Sequence, residues 1–290
     1  MKIKNLFLLI LILFLFQCCA SSIQKENQTF SFYSIEYYKT IHPPKGIIIQ
    51  LDPISLPKNV MEKFWIPFWL KENYYVVQII QNDKYILSTK ELQSILDSLI
   101  SDSSKYSDNI ILSGISLGGI SILDWLNESE NIKGISKILL MGTGWDYDYS
   151  GNLFYENPKL FNHRLGEIDD TSIQSYKTFL ATQYDSTIVN NFYIPTIKLG
   201  KKIIKNLDKH KIPILIVIGK IDSFSPEDSI ITFIKKYKNC PFKTTLNKCY
   251  YIEASRANFF DKDYNHFDLF LYNDVEDDLY EDILEWINKY

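Results

Sequence analysis

Five short runs of β-branched and other apolar residues recur along the chain: "KGIIIQLD", "YYVVQII", "NIILSG", "ISKILLMG" and "IPILIVIG". Each is too short for a buried helix, and each is apolar at consecutive positions, so both faces must be covered. Helical patterns separate them. "STKELQSILDSLISDSS" has a serine at its N-cap position and apolar residues at helical spacing. "SLGGISILDWLNES" follows the third run directly, and "PEDSIITFIKKYK" carries Pro226 in its first turn. "KCYYIEAS" reads as a last strand and "DLYEDILEWINKY" as an amphipathic C-terminal helix. Strands alternating with helices predict an α/β fold with a mostly parallel central sheet flanked by helices. Two weaker strand signals lie around "TFSFYSIEYY", and "VMEKFWIPFWLKEN" reads as a helix interrupted at Pro67.

One span breaks the alternation. From Trp145 to His210 no strong strand signal occurs, and helix-like pieces such as "SIQSYKTFLATQY" alternate with aromatic and polar residues. A connection of that length inside a compact domain is expected to have structure of its own. The chain therefore divides into a first core part over 21–144, a helical cap insertion over 145–210 and a second core part over 211–290. The formal net charge is −4, with no basic block, which excludes the electrostatic footprint of a nucleic-acid binder.

Residues 1–20 read as a signal peptide. Lys2 and Lys4 form a basic start, and Leu6 to Phe16 an apolar run shorter than the roughly 20 residues that span a bilayer. Cys18 and Cys19 follow and resemble the lipobox of bacterial lipoproteins, with Leu15 where that pattern has leucine if Cys18 is the lipid anchor. Gln17 departs from it, since small residues are usual there; Cys19 as the anchor and plain cleavage after Ala20 are the other readings. The expectation is an exported protein held to a membrane by a lipid on Cys18, facing the periplasm or cell surface. Export also bears on Cys240 and Cys249. In an oxidising compartment the pair is expected to form a disulfide, and two thiolates with no histidine between them do not make a metal site.

The third apolar run ends in "GISLGG" and passes straight into a helix. Gly114, Ser116 and Gly118 match Gly-x-Ser-x-Gly, and Gly119 follows. That pattern has chemical meaning only between a strand and a helix, and both are present. A nucleophile on so sharp a turn crowds its neighbours two residues away, and glycine removes the clash. The helix N-terminus aims free N–H groups at the same place. The bland alternative is a serine that merely caps the helix.

With this elbow the sequence resembles the α/β-hydrolase family in its order of elements, over nearly all of the chain that follows the signal peptide. The resemblance implies a Ser, acid, His order. "GKIDSFSP" supplies Gly219, Asp222 and Pro226 after a strand, and "DYNHFDLF" supplies His266 between the last strand and the last helix. Of the four histidines, His42, His163, His210 and His266, only the last follows Asp222. Asp146 and Asp148, after the preceding strand, are rival acids, and Asp268 lies too close to His266 in sequence. The oxyanion hole is expected at the Leu117 N–H, with Ile54 as second donor. Asp52-Pro53 stands where the family often has His-Gly, and Pro53 has no N–H to give. The implied activity is hydrolysis of a small-molecule or lipid acyl ester through a Ser116–Asp222–His266 triad, with no cofactor or metal. Lipase or thioesterase action on the same site and a non-catalytic binding lipoprotein are the alternatives. Trp145, Tyr147, Tyr149, Phe154, Tyr155, Phe161 and Phe179 can line an acyl pocket or simply form the core of the cap.

Overall fold

The structure is a computed structural model, and it describes residues 23–52, 58–63, 65–81, 87–129, 132, 134–143, 156–157, 159–160, 212–218, 249–253 and 277–290. Its strands are β1 (Gln24–Thr29), β2 (Tyr33–Lys39), β3 (Gly46–Leu51), β4 (Tyr74–Gln81), β5 (Ile110–Ile115), β6 (Lys137–Met141), β7 (Ile214–Ile218) and β8 (Cys249–Glu253). They form one sheet in the order β1-β2-β4-β3-β5-β6-β7-β8. From β4 across to β8 every pairing is parallel, and β1 and β2 add an antiparallel edge. The described helices are α1 (Lys58–Lys63), α2 (Trp65–Lys71), α3 (Thr89–Ser103), α4 (Leu117–Glu128) and α5 (Asp277–Lys289). The five apolar runs are β3 to β7, as their two-sided apolarity requires. The cap expected over 145–210 lies outside the described residues, apart from 156–157 and 159–160.

Strand parity sorts the core into two layers. Ile47, Ile49 and Leu51 of β3 share one face with Val77, Ile79, Ile110, Leu112, Ile138 and Leu140, and pack against Leu92 and Leu96 of α3 and Ile122 and Trp125 of α4. Ser88 caps α3 through a reciprocal capping box with Glu91, which satisfies donors that the first turn otherwise leaves open. The opposite face is covered by aromatic residues of α2 and α5. Trp65 meets Tyr280 edge-on at 5.1 Å, Phe68 stacks on Tyr280 at 4.3 Å, and Trp69 meets Tyr74 of β4 at 6.0 Å.

Two sequence expectations shift. The helix broken at Pro67 is in fact two helices, with α1 ending at Lys63 and α2 starting at Trp65. Pro67 sits in the first turn of α2, where a missing N–H costs no helical hydrogen bond. The first strand also lies upstream of its apolar signal, because β1 is the exposed polar stretch QKENQT. An edge strand that buries nothing has no alternation to read. It is held by its ladder with β2 and by Lys25, which pairs with Glu36 at 3.1 Å and with Glu62 of α1. Tyr38 donates to both carboxylates and completes this cluster.

Candidate active site

The junction of β5 and α4 holds the most strained described backbone next to a nucleophilic side chain. Ser116 has φ 51° and ψ −117°, a conformation that side chains other than glycine rarely adopt. Two bonds keep it there. Its N–H donates to the carbonyl of Met141 at 2.8 Å, extending the ladder between β5 and β6 by one residue. Its own carbonyl accepts from Gly119 N–H at 3.1 Å, closing the first turn of α4. Ser116 and Leu117 are half-buried, whereas Gly114, Ile115, Gly118 and Gly119 are buried. The serine therefore stands at the carboxyl edge of the parallel strands, at the amino end of a helix, where positive partial charge and free N–H groups converge.

The glycines serve close approach rather than backbone freedom, since none of the three has a positive φ. A Cβ on Gly114 would come within 2.6 Å of the Gly119 Cα, and one on Gly118 within 2.3 Å of the Leu51 carbonyl oxygen and 2.9 Å of that of Asp52. The first turn of α4 thus lies directly on the end of β3. Because the obstacle at Gly118 is backbone, no rotamer change relieves it. Gly118→Ala is expected to destabilise the protein by about 3 kcal/mol, the upper range for overpacking. A denaturant midpoint shifted by less than the equivalent of about 0.5 kcal/mol, the scatter of ordinary surface changes, would refute this contact.

Sequence reading missed a buried polar row beside the elbow. Glu36 of β2 pairs with Gln78 of β4, Gln78 with Gln50 of β3, and Gln50 with Ser113 of β5. Directly paired residues share a face, and all four are fully buried. Asp52, two residues beyond Gln50, points the same way by parity and is 3% exposed. Gln50 Nε2 donates to one of its carboxyl oxygens at 3.0 Å and Gln78 Nε2 donates to the other. The available signal was a single glutamine in each of two otherwise apolar strand runs.

Burial pushes the Asp52 carboxyl up to about 7; the two amide donors pull it down, and the charge of Glu36 adds to the rise. The sign for stability follows. A carboxyl ionising near 3.8 when unfolded and near 7 when folded penalises the folded state as it ionises. The penalty is absent below the lower value, grows between the two and is complete above the higher, where it amounts to a few kcal/mol at about 1.4 kcal/mol per unit. Asp52→Asn removes the ionisation. Its melting temperature relative to wild type is expected to rise by several degrees between pH 4 and pH 8. A difference that does not change with pH would contradict a buried ionising group here.

The other expected site residues, Asp222, His266 and Ile54, lie outside the described residues, as do Cys18, Cys19, Cys240, Asp146, Asp148 and the seven aromatic residues of the cap span. Cys249 opens β8. The strands that precede these segments are described. β7 ends at Ile218 and β8 at Glu253, in register with each other and parallel to β5, so both chains leave the sheet at the edge where Ser116 stands. Met141 ends β6 at the same edge, so Asp146 and Asp148 follow an equally placed strand. Among the described residues no group of three His, Cys, Asp or Glu is placed to hold a metal ion.

This architecture is that of known proteins. A soluble variant of monoglyceride lipase from Saccharomyces cerevisiae, in complex with a substrate analog, superposes with a TM-score of 0.62 at 14% identity, over 93% of this chain and 96% of the lipase. An esterase from Pyrococcus furiosus gives 0.59 at 14% identity, over 94% and 92% of the two chains. A monoacylglycerol lipase from Paleococcus ferrophilus gives 0.58 at 14% identity, over 92% and 99%. No family model and no curated protein sequence matches. The chain has the α/β-hydrolase fold, with a mostly parallel sheet between helical layers.

Proposed function

We propose that this protein is an exported serine hydrolase that cleaves carboxylic (acyl) esters through Ser116, Asp222 and His266. The observation that carries the reading is the backbone of Ser116, strained at φ 51° between a buried strand and a helix, with glycine at every neighbouring position where a side chain would collide. A serine that only caps a helix needs none of this, and Ser116 makes no side-chain cap bond to α4. The similar structures, two monoglyceride or monoacylglycerol lipases and an esterase, support an acyl ester as the substrate class.

His266 accepts the proton of the Ser116 hydroxyl as the oxygen attacks the ester carbonyl. Asp222 holds the imidazole in the required tautomer and stabilises its protonated form. The oxyanion is held by the N–H of Leu117, with Ile54 as the second donor. As the carbonyl re-forms, the bond to the alcohol breaks and His266 gives that oxygen its proton. Water, deprotonated by the same histidine, then attacks the acyl-enzyme; the bond to Ser116 Oγ breaks, His266 returns the proton to that oxygen, and the acid leaves. The chemistry uses no metal or organic cofactor. Export through the N-terminal signal, with cleavage before Cys18 and a lipid on that cysteine, would hold the enzyme at a membrane surface, and a bridge between Cys240 and Cys249 would brace the approach to β8.

A fluorophosphonate probe tests the reading. It phosphonylates an activated serine: the Ser116 oxygen bonds to phosphorus, fluoride leaves, and His266 takes the hydroxyl proton. Peptide mass analysis is expected to find the adduct on Ser116, with none in Ser116→Ala. A folded wild-type protein that stays unlabelled would identify a non-catalytic binding protein instead.

A further inference from the structure

The Asp52 carboxyl has no place in the triad, yet it lies buried beside the elbow with an amide donor on each oxygen. Its main chain is fixed as firmly as its side chain: its N–H donates to the Ile79 carbonyl at 3.2 Å. Gln78 and Ile79 belong to β4 and Gln50 to β3, so Asp52 ties the ends of two central strands together one residue beyond the end of β3. That end is the surface on which the first turn of α4 rests, through the approach of Gly118 to the carbonyls of Leu51 and Asp52. Leu117, the expected oxyanion donor, immediately precedes Gly118, and Ser116 precedes Leu117.

We propose that Gln50, Asp52 and Gln78 form a buried clamp that positions the first turn of α4, and with it the Ser116 hydroxyl and the Leu117 N–H. Asp52 is a positioning residue; it touches neither substrate nor nucleophile. The inference rests on the serine-hydrolase reading of Ser116. Its logic is geometric. An unclamped strand end can shift by a fraction of an ångström, and misplacement of about 1 Å costs on the order of 10²-fold in rate. Stability alone gives the clamp little reason to exist, because burying the carboxyl and two amides costs more than filling the space with apolar groups. The need falls on both members of the contact: Gly118 lets the helix come close, and the clamp holds what it comes close to. Asparagine at position 52 can keep both bonds, one as acceptor and one as donor to a glutamine oxygen, since Oε1 of both Gln50 and Gln78 is buried without a partner. The clamp thus depends on the shape and polarity of the side chain and not on its charge.

The test uses the full-length chain and a short-chain p-nitrophenyl ester at pH 8. Asp52→Ala and Gln78→Met are expected to lower kcat roughly tenfold or more while KM stays within about twofold, the pattern of an interaction felt in the transition state. Asp52→Asn is expected to recover kcat to within about threefold of wild type. Gln78→Met keeps the volume of the side chain and removes only its donor to Asp52, so a role in packing alone would leave its kcat unchanged. All three variants should still take up the fluorophosphonate on Ser116, the first two more slowly. That distinguishes failure of the clamp from failure of the hydrolase reading, in which wild type is not labelled either. If Asp52→Ala does not fold, Gln78→Met decides alone. Wild-type kcat in either folded variant, a change confined to KM, or an asparagine variant as impaired as the alanine variant would overturn the clamp.

Discussion

Ser116→Ala is expected to fold normally and to lose ester turnover by a factor on the order of 10³ or more, with what remains coming from the oxyanion hole and substrate binding. The fold should not notice the loss of one half-buried hydroxyl. The backbone strain, however, stays, because alanine dislikes φ 51° as much as serine does. Ser116→Gly separates the two effects. It is equally inactive, and by relieving the strain it should be more stable than Ser116→Ala by about 1 kcal/mol, at the low end of what such conformations store. Turnover measured on a soluble ester and denaturant melts of both variants check this. Wild-type-like activity in either variant would remove Ser116 from the mechanism, and a less stable glycine variant would remove the strain argument.

Asp222→Asn is expected to cost on the order of 10⁴-fold in kcat, because an amide leaves the imidazole in the wrong tautomer while keeping the shape of the site. Asp146→Asn and Asp148→Asn are the decisive controls. β6, which precedes them, ends at the same edge of the sheet as β7. If either control is the crippled variant and Asp222→Asn is not, the acid follows β6. The result should be read at a pH well above that of histidine protonation, so that a change in the ionisation of His266 is not mistaken for a change in its orientation.

The elbow was legible because its logic is local. Gly-x-Ser-x-Gly after "NIIL" states a strand, a turn and a helix within a dozen residues, and the strain at Ser116 follows from that path. The sheet was legible for a related reason: two-sided apolarity is a property of each run by itself. Chain order leaves His266 as the one candidate histidine after Asp222, an expectation that falls outside the described residues. The edge strand β1 was not legible, since QKENQT buries nothing and so carries no periodic mark. Pro67 misled, because a proline that would break the middle of a helix is harmless in its first turn, and only the boundary at Trp65 shows which case applies.

What the sequence by itself determined is the class of fold and the place of the glycine-flanked elbow that carries Ser116, both written in short-range patterns of apolarity and glycine. The tertiary structure decided which polar residues meet. Glu36, Gln78, Gln50 and Ser113 are scattered over four strands, and each looks like an isolated imperfection in its run. Strand order and register put them in one row, and parity turns Asp52 to the same side, with its two oxygens against two amides. Register is set by the packing of every strand against its neighbours and the helices above, so no single segment encodes it. The same holds for Gly118. Its place in the motif is sequence, but the carbonyls of Leu51 and Asp52 that forbid a side chain there lie at and just beyond the end of a strand more than sixty residues earlier.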